Sequence, residues 1–171
     1  MNIIITGASQ GIGYEITGLF AEMPDSTILA VARNEKKLKQ LQNECSTKNP
    51  GSRVVPVSFD LEKIVDQSAG ITDIILQHID HIDILINNAG LLINKSFTDI
   101  TSQEARRIFN VNLFVPALLI RELLPYMGKK NVSHVVNISS MAGFQGSSKY
   151  PGLSYYSSSK AALASITECL A

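Results

Sequence analysis

The sequence predicts a doubly wound α/β fold, in which helices cover both faces of a parallel β-sheet. Short apolar runs rich in β-branched residues alternate along the chain with longer segments of helical periodicity. A glycine-rich turn joins the first apolar run to the first helical segment. With 171 residues, 45% of them hydrophobic and 18% charged, the chain can bury one substantial core, so we expect a single domain over residues 1–171.

The first unit is a predicted strand, turn and helix. Ile3 to Ile5 form a buried strand, and the pattern from Tyr14 to Met23 has helical spacing. Between them lies the sequence TGASQGIG. In such a turn Gly7 lets the chain leave the strand sharply, Gly11 leaves bare backbone against a ligand, and Gly13 lets the helix pack closely on the sheet.

The start of this first helix is suited to a pyrophosphate. Its unpaired backbone N–H groups and the positive end of its dipole both face the turn. A pyrophosphate accepts several such hydrogen bonds while its charge meets the dipole. For this short pattern alone, an ordinary glycine-rich turn is the alternative.

Two further strands follow. Thr27 to Ala32 is a β-rich apolar run, and Asn34 then begins a helix with apolar residues at helical spacing. Arg53 to Phe59 is the third strand. Because Pro56 cannot donate a hydrogen bond to a neighbouring strand, we expect this strand at an edge of the sheet.

The middle of the chain continues the alternation of helix and strand. Residues Ile64 to Ile79 are predicted to be helical, with an interruption at Gly70. Ile82 to Ile86 is an uninterrupted apolar run, which is typical of a strand buried on both faces of a parallel sheet. We therefore expect a central strand here.

A long helix is predicted after this strand. The spacing of Thr101 and Glu104 predicts a capping box at its start. The helical pattern continues to about Met127, and we expect a bend near Pro116, which lacks a backbone N–H.

The last predicted elements are a fifth strand at Val132 to Ile138 and a helix from Tyr155 onward. Strands that alternate with crossover helices predict the strand order 3-2-1-4-5. In such sheets ligands bind beyond the carboxyl ends of the strands where the order reverses, here between the first and fourth strands.

The composition argues against nucleic acid and membranes as partners. Lys and Arg together number 15, as do Asp and Glu, so there is no excess of positive charge. No run approaches the roughly 18 consecutive apolar residues that cross a bilayer, and no basic segment precedes the first apolar run. We expect a cytoplasmic protein that binds a small molecule.

The cysteines and histidines form no pattern of metal ligands. Cys45 and Cys169 lie far apart, with no Cys or His at ligand spacing from either. The three histidines, His78, His81 and His134, are scattered in the same way. We expect packing or hydrogen-bonding roles for these residues and no bound metal.

Four polar motifs lie at the predicted carboxyl ends of the strands or soon after them. They are Asp60-Leu61, Asn87-Asn88-Ala89-Gly90, Asn137-Ile138-Ser139-Ser140 and Tyr156-Ser157-Ser158-Ser159-Lys160. Together with the glycine-rich turn, they resemble the short-chain dehydrogenase/reductase family in order, spacing and context, over essentially the whole chain. The resemblance implies a Rossmann-like fold that transfers a hydride between a nicotinamide dinucleotide and a carbonyl or secondary alcohol.

Tyr156 and Lys160 are the expected centre of this chemistry, because their spacing places them on one face of a helix. Hydride transfer to a carbonyl carbon builds negative charge on the oxygen, which needs a proton donor within hydrogen-bonding reach. Tyr156 is the candidate donor, and an ammonium group nearby favours phenolate. A surface pair is the alternative. Tyr126 and Lys130 have the same spacing, but Gly128 interrupts their helical pattern.

Ser140 and Asn112 complete the expected catalytic set. Ser140 would hydrogen-bond the substrate oxygen and stabilise its charge, and it is favoured over Ser139 because the second serine of the run matches the family's catalytic place. By the resemblance, Lys160 also holds the nicotinamide ribose, and Asn112 carries a water-linked proton path to that lysine. Alternatively, Asn112 caps a kink near the following proline.

Arg33 favours NADP(H) as the dinucleotide. Relatives that prefer NAD have an acidic residue at the end of the second strand, whereas an arginine there suits a 2′-phosphate. Ser9 is a further candidate for a hydrogen bond to this phosphate. Lys36 and Lys37 could add charge, although both also fit a solvated helix face. Gln10 departs from the basic residue often found there in NADP-preferring relatives.

Other expected contacts with the dinucleotide follow from the resemblance. Asp60 would bond the adenine amine with Leu61 beside it, and the backbone of residues 87–90 would run along the dinucleotide. For either Asn87 or Asn88 alone, a plain turn is the alternative. The complete expected set is Gly7, Ser9, Gln10, Gly11, Ile12, Gly13, Arg33, Asp60, Leu61, Asn88, Ala89, Gly90, Tyr156 and Lys160.

Two features depart from the family pattern. The loop between Ser140 and Tyr156 is longer than usual, and it lines the expected substrate side. Family members also continue with further strands and a mobile lid, so we expect a domain incomplete at its C-terminus: a fragment, a chain with a disordered remainder or a naturally reduced protein. A dinucleotide-binding sensor or scaffold without turnover is therefore the second functional hypothesis.

Association is also expected. Members of the family pair through the long helices after the fourth and fifth strands. The long helix carries more apolar residues than one face of a sheet requires, namely Leu113, Phe114, Leu118, Leu119 and Leu123. We expect a homodimer or homotetramer.

Overall fold

A computed structural model describes residues 1–66 and 70–171 of the chain. Its sheet contains five parallel strands in the order β3-β2-β1-β4-β5. The strands are β1 (Asn2–Thr6), β2 (Thr27–Ala32), β3 (Arg53–Ser58), β4 (Ile84–Asn87) and β5 (His134–Asn137). The doubly wound fold and the predicted strand order are confirmed.

Helices connect the strands and cover the sheet. They are α1 (Gly11–Ala21), α2 (Glu35–Lys48), α3 (Lys63–Asp66), α4 (Ile71–Leu76), α5 (Ser102–Phe109), α6 (Val115–Leu123) and α7 (Ser154–Leu170). The helix predicted over Ile64 to Ile79 includes two short helices, and Gly70 has a left-handed φ of 57° just before the second. The part of that prediction on residues 67–69 lies outside the described residues.

The bend predicted near Pro116 takes the form of a π-helical turn just before it, at Asn110–Phe114. Proline has no N–H, and its ring would clash with the carbonyl four residues earlier in a regular helix. The chain widens here, so that the Val115 N–H donates to the Asn110 carbonyl. This wider turn contains Asn112.

The helical segment Ser102–Tyr126 is long and apolar enough to cross a membrane by length and composition, because its most apolar stretch has a mean hydropathy of 1.4. Polar and charged residues interrupt this segment, so it contains no long uninterrupted apolar run. It is weak support for a membrane span, because the core helix of a soluble protein passes the same test. In this fold, Val115, Leu119 and Leu123 are buried against the sheet.

Two apolar cores lie on opposite faces of the sheet, because successive side chains of a strand point in opposite directions. Ile4 and Leu29 belong to the core that α6 covers. Ile3, Ile5 and Ile28 belong to the core that α2 covers. Burial on both faces explains why the inner strands are continuous apolar runs.

Pro56 lies where the sequence predicted it. It pairs in register with Ala30 of β2, and β3 is the outermost strand on this side of the sheet. An edge strand tolerates proline because one of its two sides has no neighbour to accept an N–H hydrogen bond.

Gly13 allows α1 to approach the loops at the top of the sheet. A Cβ atom at this position would lie 2.6 Å from the Gly7 carbonyl oxygen and would also clash with the Asn88 side-chain amide. Gly18 lies in the same helix, but a Cβ atom there would have no heavy atom within 4 Å. A substitution at Gly13 therefore tests close packing, whereas the same substitution at Gly18 tests only the helix propensity of the residue.

The first prediction uses this contrast. The change Gly13→Ala is expected to lower the free energy of unfolding by about 1–3 kcal/mol, because the added methyl group overpacks the contact with Gly7 and Asn88. The matched change Gly18→Ala should be neutral or stabilising by up to about 1 kcal/mol, because alanine favours helix. Urea unfolding measures both values, and equal effects would contradict the packing role.

Candidate active site

An open cleft of about 500 Å³ lies at the carboxyl ends of the strands, where the strand order reverses. Segments that follow β1, β2, β3 and β4 line it. Members of the predicted dinucleotide set that line it are Gly7, Ser9, Gln10, Gly11, Ile12, Arg33, Asp60, Leu61, Asn88, Ala89 and Gly90. Gly13, Tyr156 and Lys160 do not line this space. We call it the glycine cleft.

The two sides of the glycine cleft are joined by Thr6 and Asn88. The Thr6 hydroxyl oxygen accepts hydrogen bonds from the backbone N–H groups of Asn88 and Ala89, each at 3.0 Å. In return, the Asn88 side-chain amide donates to the Thr6 carbonyl at 3.0 Å and to the Gly7 carbonyl at 3.4 Å. Asn88 therefore lines the cleft but uses its amide to hold the glycine turn.

The glycine turn has the geometry that a phosphate needs. Gly7 and Gly11 have left-handed φ angles of 70° and 58°. A Cβ atom on Gly11 would meet no other heavy atom within 4 Å. Gln10, the residue before α1, makes no side-chain hydrogen bond to the helix. The first N–H groups of α1 thus lack a side-chain cap, and they fit a pyrophosphate.

Charged side chains surround the end of the cleft near β2 and β3. Arg33 follows β2, and its Nη1 atom lies 3.6 Å from Glu62 Oε1. Arg107 of α5 holds the same carboxylate through Nε and Nη2 at 2.7–3.1 Å. Nearby, Lys37 Nζ donates to Gln10 Oε1 at 3.1 Å. Cations thus outnumber carboxylates at this end of the cleft, although Asp60 also lines it.

Lys160 lies beside the other end of the glycine cleft. Its side chain is buried, and Nζ donates to the Ile138 carbonyl at 2.7 Å. A Cβ atom on Gly90 would lie 3.5 Å from both Lys160 Nζ and Asn112 Oδ1. The cleft wall at Gly90 therefore passes directly beside the ammonium group of Lys160 and the side chain of Asn112.

Asn112 connects the π-helical turn to two other elements. Its Oδ1 atom accepts from the Leu91 N–H at 2.7 Å, and Nδ2 donates to the Leu91 carbonyl at 2.9 Å. Nδ2 also donates to Ser159 Oγ at 3.0 Å. Of the two readings, capping of a kink is not observed, because these bonds reach the loop after β4 and α7. A proton path through Asn112 stays a prediction.

Ser159 was not singled out from the sequence. Its hydroxyl is fully buried, accepts from Asn112 and donates to the Tyr156 carbonyl at 2.8 Å. It thus links Asn112 to the helical turn that carries Tyr156 and Lys160. Three consecutive serines precede Lys160 in the sequence, and no local signal distinguishes the buried one.

The two serines after β5 differ in their hydrogen bonds. Ser139 Oγ donates to the Lys160 carbonyl at 2.8 Å, so it fastens this loop to α7. Ser140 Oγ accepts from the Ala142 N–H at 3.1 Å, and among the described residues its own proton has no protein acceptor. This arrangement favours Ser140 over Ser139 as the group that meets a substrate oxygen.

The long loop between Ser140 and Tyr156 packs against the loop after β4. The Gly152 carbonyl accepts from the Lys95 N–H at 3.2 Å. Next to this contact, the rings of Phe97 and Tyr155 stack with centroids 5.7 Å apart. The extra residues thus form part of a wall beside Tyr156.

The second Tyr-x-x-x-Lys pair is remote from this arrangement. Tyr126 ends a short 3₁₀ turn, and Lys130 Nζ pairs with Asp80 at 3.2 Å. The site also holds no cluster of metal ligands: within residues 1–66 and 70–171, no three His, Cys, Asp or Glu side chains form a group that could bind a metal ion.

A model of the short chain dehydrogenase family matches residues 1–171. The chain belongs to the short-chain dehydrogenase family. Membership establishes the oxidoreductase family and the Rossmann-like fold.

Similar proteins include both curated sequences and solved structures. The ketoacyl reductase HetN of Nostoc sp. PCC 7120 is 34% identical over 168 residues, which are 98% of this chain and 56% of HetN. Mouse dehydrogenase/reductase SDR family member 7B is 34% identical over 170 residues, covering 98% of this chain and 51% of that protein. This short-chain dehydrogenase chain thus spans about half the length of these relatives.

Among solved structures, a metagenomic short-chain oxidoreductase in complex with NADP superimposes with a TM-score of 0.89 at 27% identity. The match covers 100% of this chain and 74% of that protein. The arrangement of strands and helices described above is thus that of solved short-chain dehydrogenases.

Burial affects the charge of Lys160, because removal of the ammonium group from water lowers its pKa below the ordinary value of 10.5. The unfolded chain therefore binds the proton more tightly than the folded chain. Stability should rise with pH through the interval between the folded and unfolded pKa values, and at lower pH the buried cation destabilises the fold.

The second prediction follows. The change Lys160→Met keeps the length of the side chain and removes the buried charge, so the variant should be more stable than the parent at pH 7. The difference should shrink as the pH rises through the lowered pKa of Lys160 in the folded chain towards the ordinary value of 10.5. Urea unfolding at several pH values measures it, with Lys129→Met as the control for loss of an exposed charge. A difference independent of pH would contradict this account.

Proposed function

We propose that this protein is an NADP(H)-dependent oxidoreductase that interconverts a carbonyl group and a secondary alcohol. The observation that carries the proposal is the buried ammonium group of Lys160, held beside Gly90 at the end of a glycine-lined cleft. Tyr156 precedes it by one helical turn on α7. A buried cation without a carboxylate partner in the described ranges requires a functional explanation.

Each residue has a distinct task in this proposal. When bound, the dinucleotide supplies or accepts the hydride. Tyr156 gives its proton to the carbonyl oxygen during reduction and takes it back during oxidation. The Lys160 cation stabilises the negative charge left on the phenol oxygen, and the free Ser140 proton is directed to the substrate oxygen. Asn112 holds the backbone at Leu91 and is proposed to support a water-linked proton path to Lys160.

The choice of NADP(H) rests on the charged end of the glycine cleft. The Arg33 guanidinium is largely exposed there, so it can turn toward a 2′-phosphate. Lys37, Ser9 and Gln10 lie along the same wall. The neighbour that was solved with NADP supports the same choice.

Association as a homodimer or homotetramer stays a proposal. Of the five residues that suggested it, Leu119 and Leu123 face the core instead of the surface. Phe114 and Leu124 expose 47% and 60% of their area on the same helical segment, and they are the candidates for an interface. A single dinucleotide-binding domain and a cytoplasmic location are likewise proposed.

The third prediction tests turnover. The change Tyr156→Phe should lower kcat by about 10²- to 10⁴-fold, because it removes the proton donor. Tyr155→Phe is the matched control, since it keeps the ring stacked on Phe97 and should retain activity. Assays use NADPH with a panel of ketones. Equal activity of the Tyr156 variant and the parent would overturn the mechanism, while NADPH binding without turnover on any substrate would favour a sensor or scaffold.

The fourth prediction tests the choice of dinucleotide. The change Arg33→Ala should weaken NADPH binding about ten- to a hundredfold, because charge-assisted hydrogen bonds to a phosphate are lost. NADH binding should change little. Calorimetric titration measures the affinities for NADPH and NADH. The control is Arg53→Ala, at the start of β3 and away from the cleft. Equal affinity of the parent for NADH and NADPH would contradict the proposal.

A further inference from the structure

We infer that Glu62 and Arg107 form a charge pair that sets the preference of the glycine cleft for a 2′-phosphate, although neither residue needs to touch that phosphate. The inference rests on the proposed function. It concerns two residues that none of the sequence motifs includes, brought together from positions 45 residues apart.

The pair closes one wall of the cleft. Glu62 follows β3 and Arg107 lies on α5, and both line the same space as Arg33. The guanidinium of Arg107 grips the carboxylate with three close contacts, whereas Arg33 reaches it only through Nη1 at 3.6 Å. Arg107 is therefore the main partner of Glu62, and the contact with Arg33 is the weaker one.

This difference leaves Arg33 available to a ligand. A phosphate offers stronger, bidentate hydrogen bonds than the single long contact with Glu62, so Arg33 can exchange one for the other. The Glu62 carboxylate acts against this exchange in two ways: it attracts Arg33 toward itself, and it repels an anion that approaches Arg33. Both effects weaken when Arg107 neutralises the carboxylate.

The remaining charged groups in the wall do not replace Arg107. Lys37 Nζ donates to Gln10 Oε1 at 3.1 Å and makes no ion pair with Glu62 among the described residues. Asp60 adds a second negative charge, and its Oδ1 atom accepts from the Glu62 N–H at 3.2 Å. Without Arg107, two neighbouring carboxylates would therefore face the site of the 2′-phosphate with Arg33 as their nearest cation. Hydrogen bonding to Arg107 lowers the pKa of the Glu62 carboxyl below its ordinary value, as expected for a carboxylate paired with a cation.

Arg107 could alternatively contact the phosphate itself, and a double-mutant cycle separates the two roles. We measure the dissociation constants of NADPH and NADH by calorimetry for the parent, Glu62→Gln, Arg107→Gln and the double variant. Arg106→Gln, at an exposed position on the same helix, is the control. Thermal unfolding verifies that each variant is folded.

If the pair acts by neutralisation, Glu62→Gln should raise the NADPH-to-NADH affinity ratio about threefold or more, and Arg107→Gln should lower it by a similar factor. The double variant should return to within about twofold of the parent, because it lacks both charges. The Arg106 control should leave the ratio unchanged.

Two results would overturn the inference while leaving the proposed function intact. One is a preference for NADPH that none of the variants alters. The other is a loss in Arg107→Gln that persists in the double variant, which would make Arg107 a direct ligand of the phosphate. A parent protein that binds neither dinucleotide would overturn the proposed function itself, and this inference with it.

Discussion

The reciprocal hydrogen bonding of Thr6 and Asn88 is the contact on which the rest of the site depends. β1 and β4 are neighbours in the sheet, but their outgoing chains turn to opposite sides, which opens the glycine cleft. The Thr6 hydroxyl accepts hydrogen bonds from the N–H groups of Asn88 and Ala89, which follow β4. In return, the Asn88 side-chain amide donates two hydrogen bonds to the carbonyl groups of Thr6 and Gly7. The turn over Gly7 and the wall at Gly90 are thereby held as one rigid unit.

A second polar arrangement fastens α7 to this unit. Asn112 lies in a π-helical turn that Pro116 imposes, and its buried amide is hydrogen-bonded to Leu91 and Ser159. Each of these side-chain hydrogen bonds connects Asn112 to a residue outside its own helical segment. An irregular turn, which weakens an isolated helix, here aims a side chain at two other elements. Lys160 is buried next to it at a cost in stability, as expected where function requires a charge.

Much of this fold could be predicted from local patterns. Apolar runs located the strands, Pro56 placed β3 at an edge, and the spacing of Thr101 and Glu104 predicted the capping box that the structure contains. The dependence of Gly13 on close packing also followed from its place in the turn. These features depend on neighbours in sequence or on the period of a strand, so a single sequence carries them.

Features that depend on distant residues could not be predicted. The contact between Glu62 and Arg107 joins two segments whose charged residues, in the sequence, are typical of a solvent-exposed surface. Ser159 is identical in type to its two predecessors, and only the direction of α7 decides which of the three is buried. The sequence indicated a bend near Pro116 but not its form, which is a π-helical turn just before the proline, at Asn110–Phe114.

The central claim is that a dinucleotide lies along the glycine cleft, with its reactive ring beside α7. A crystal structure of the protein grown with NADPH tests this directly. We expect the diphosphate on the N–H groups at the start of α1, the 2′-phosphate on Arg33, and the nicotinamide ribose within hydrogen-bonding distance of Lys160 Nζ. A dinucleotide bound elsewhere on the molecule, or one whose nicotinamide lies away from Tyr156 and Lys160, would contradict the account.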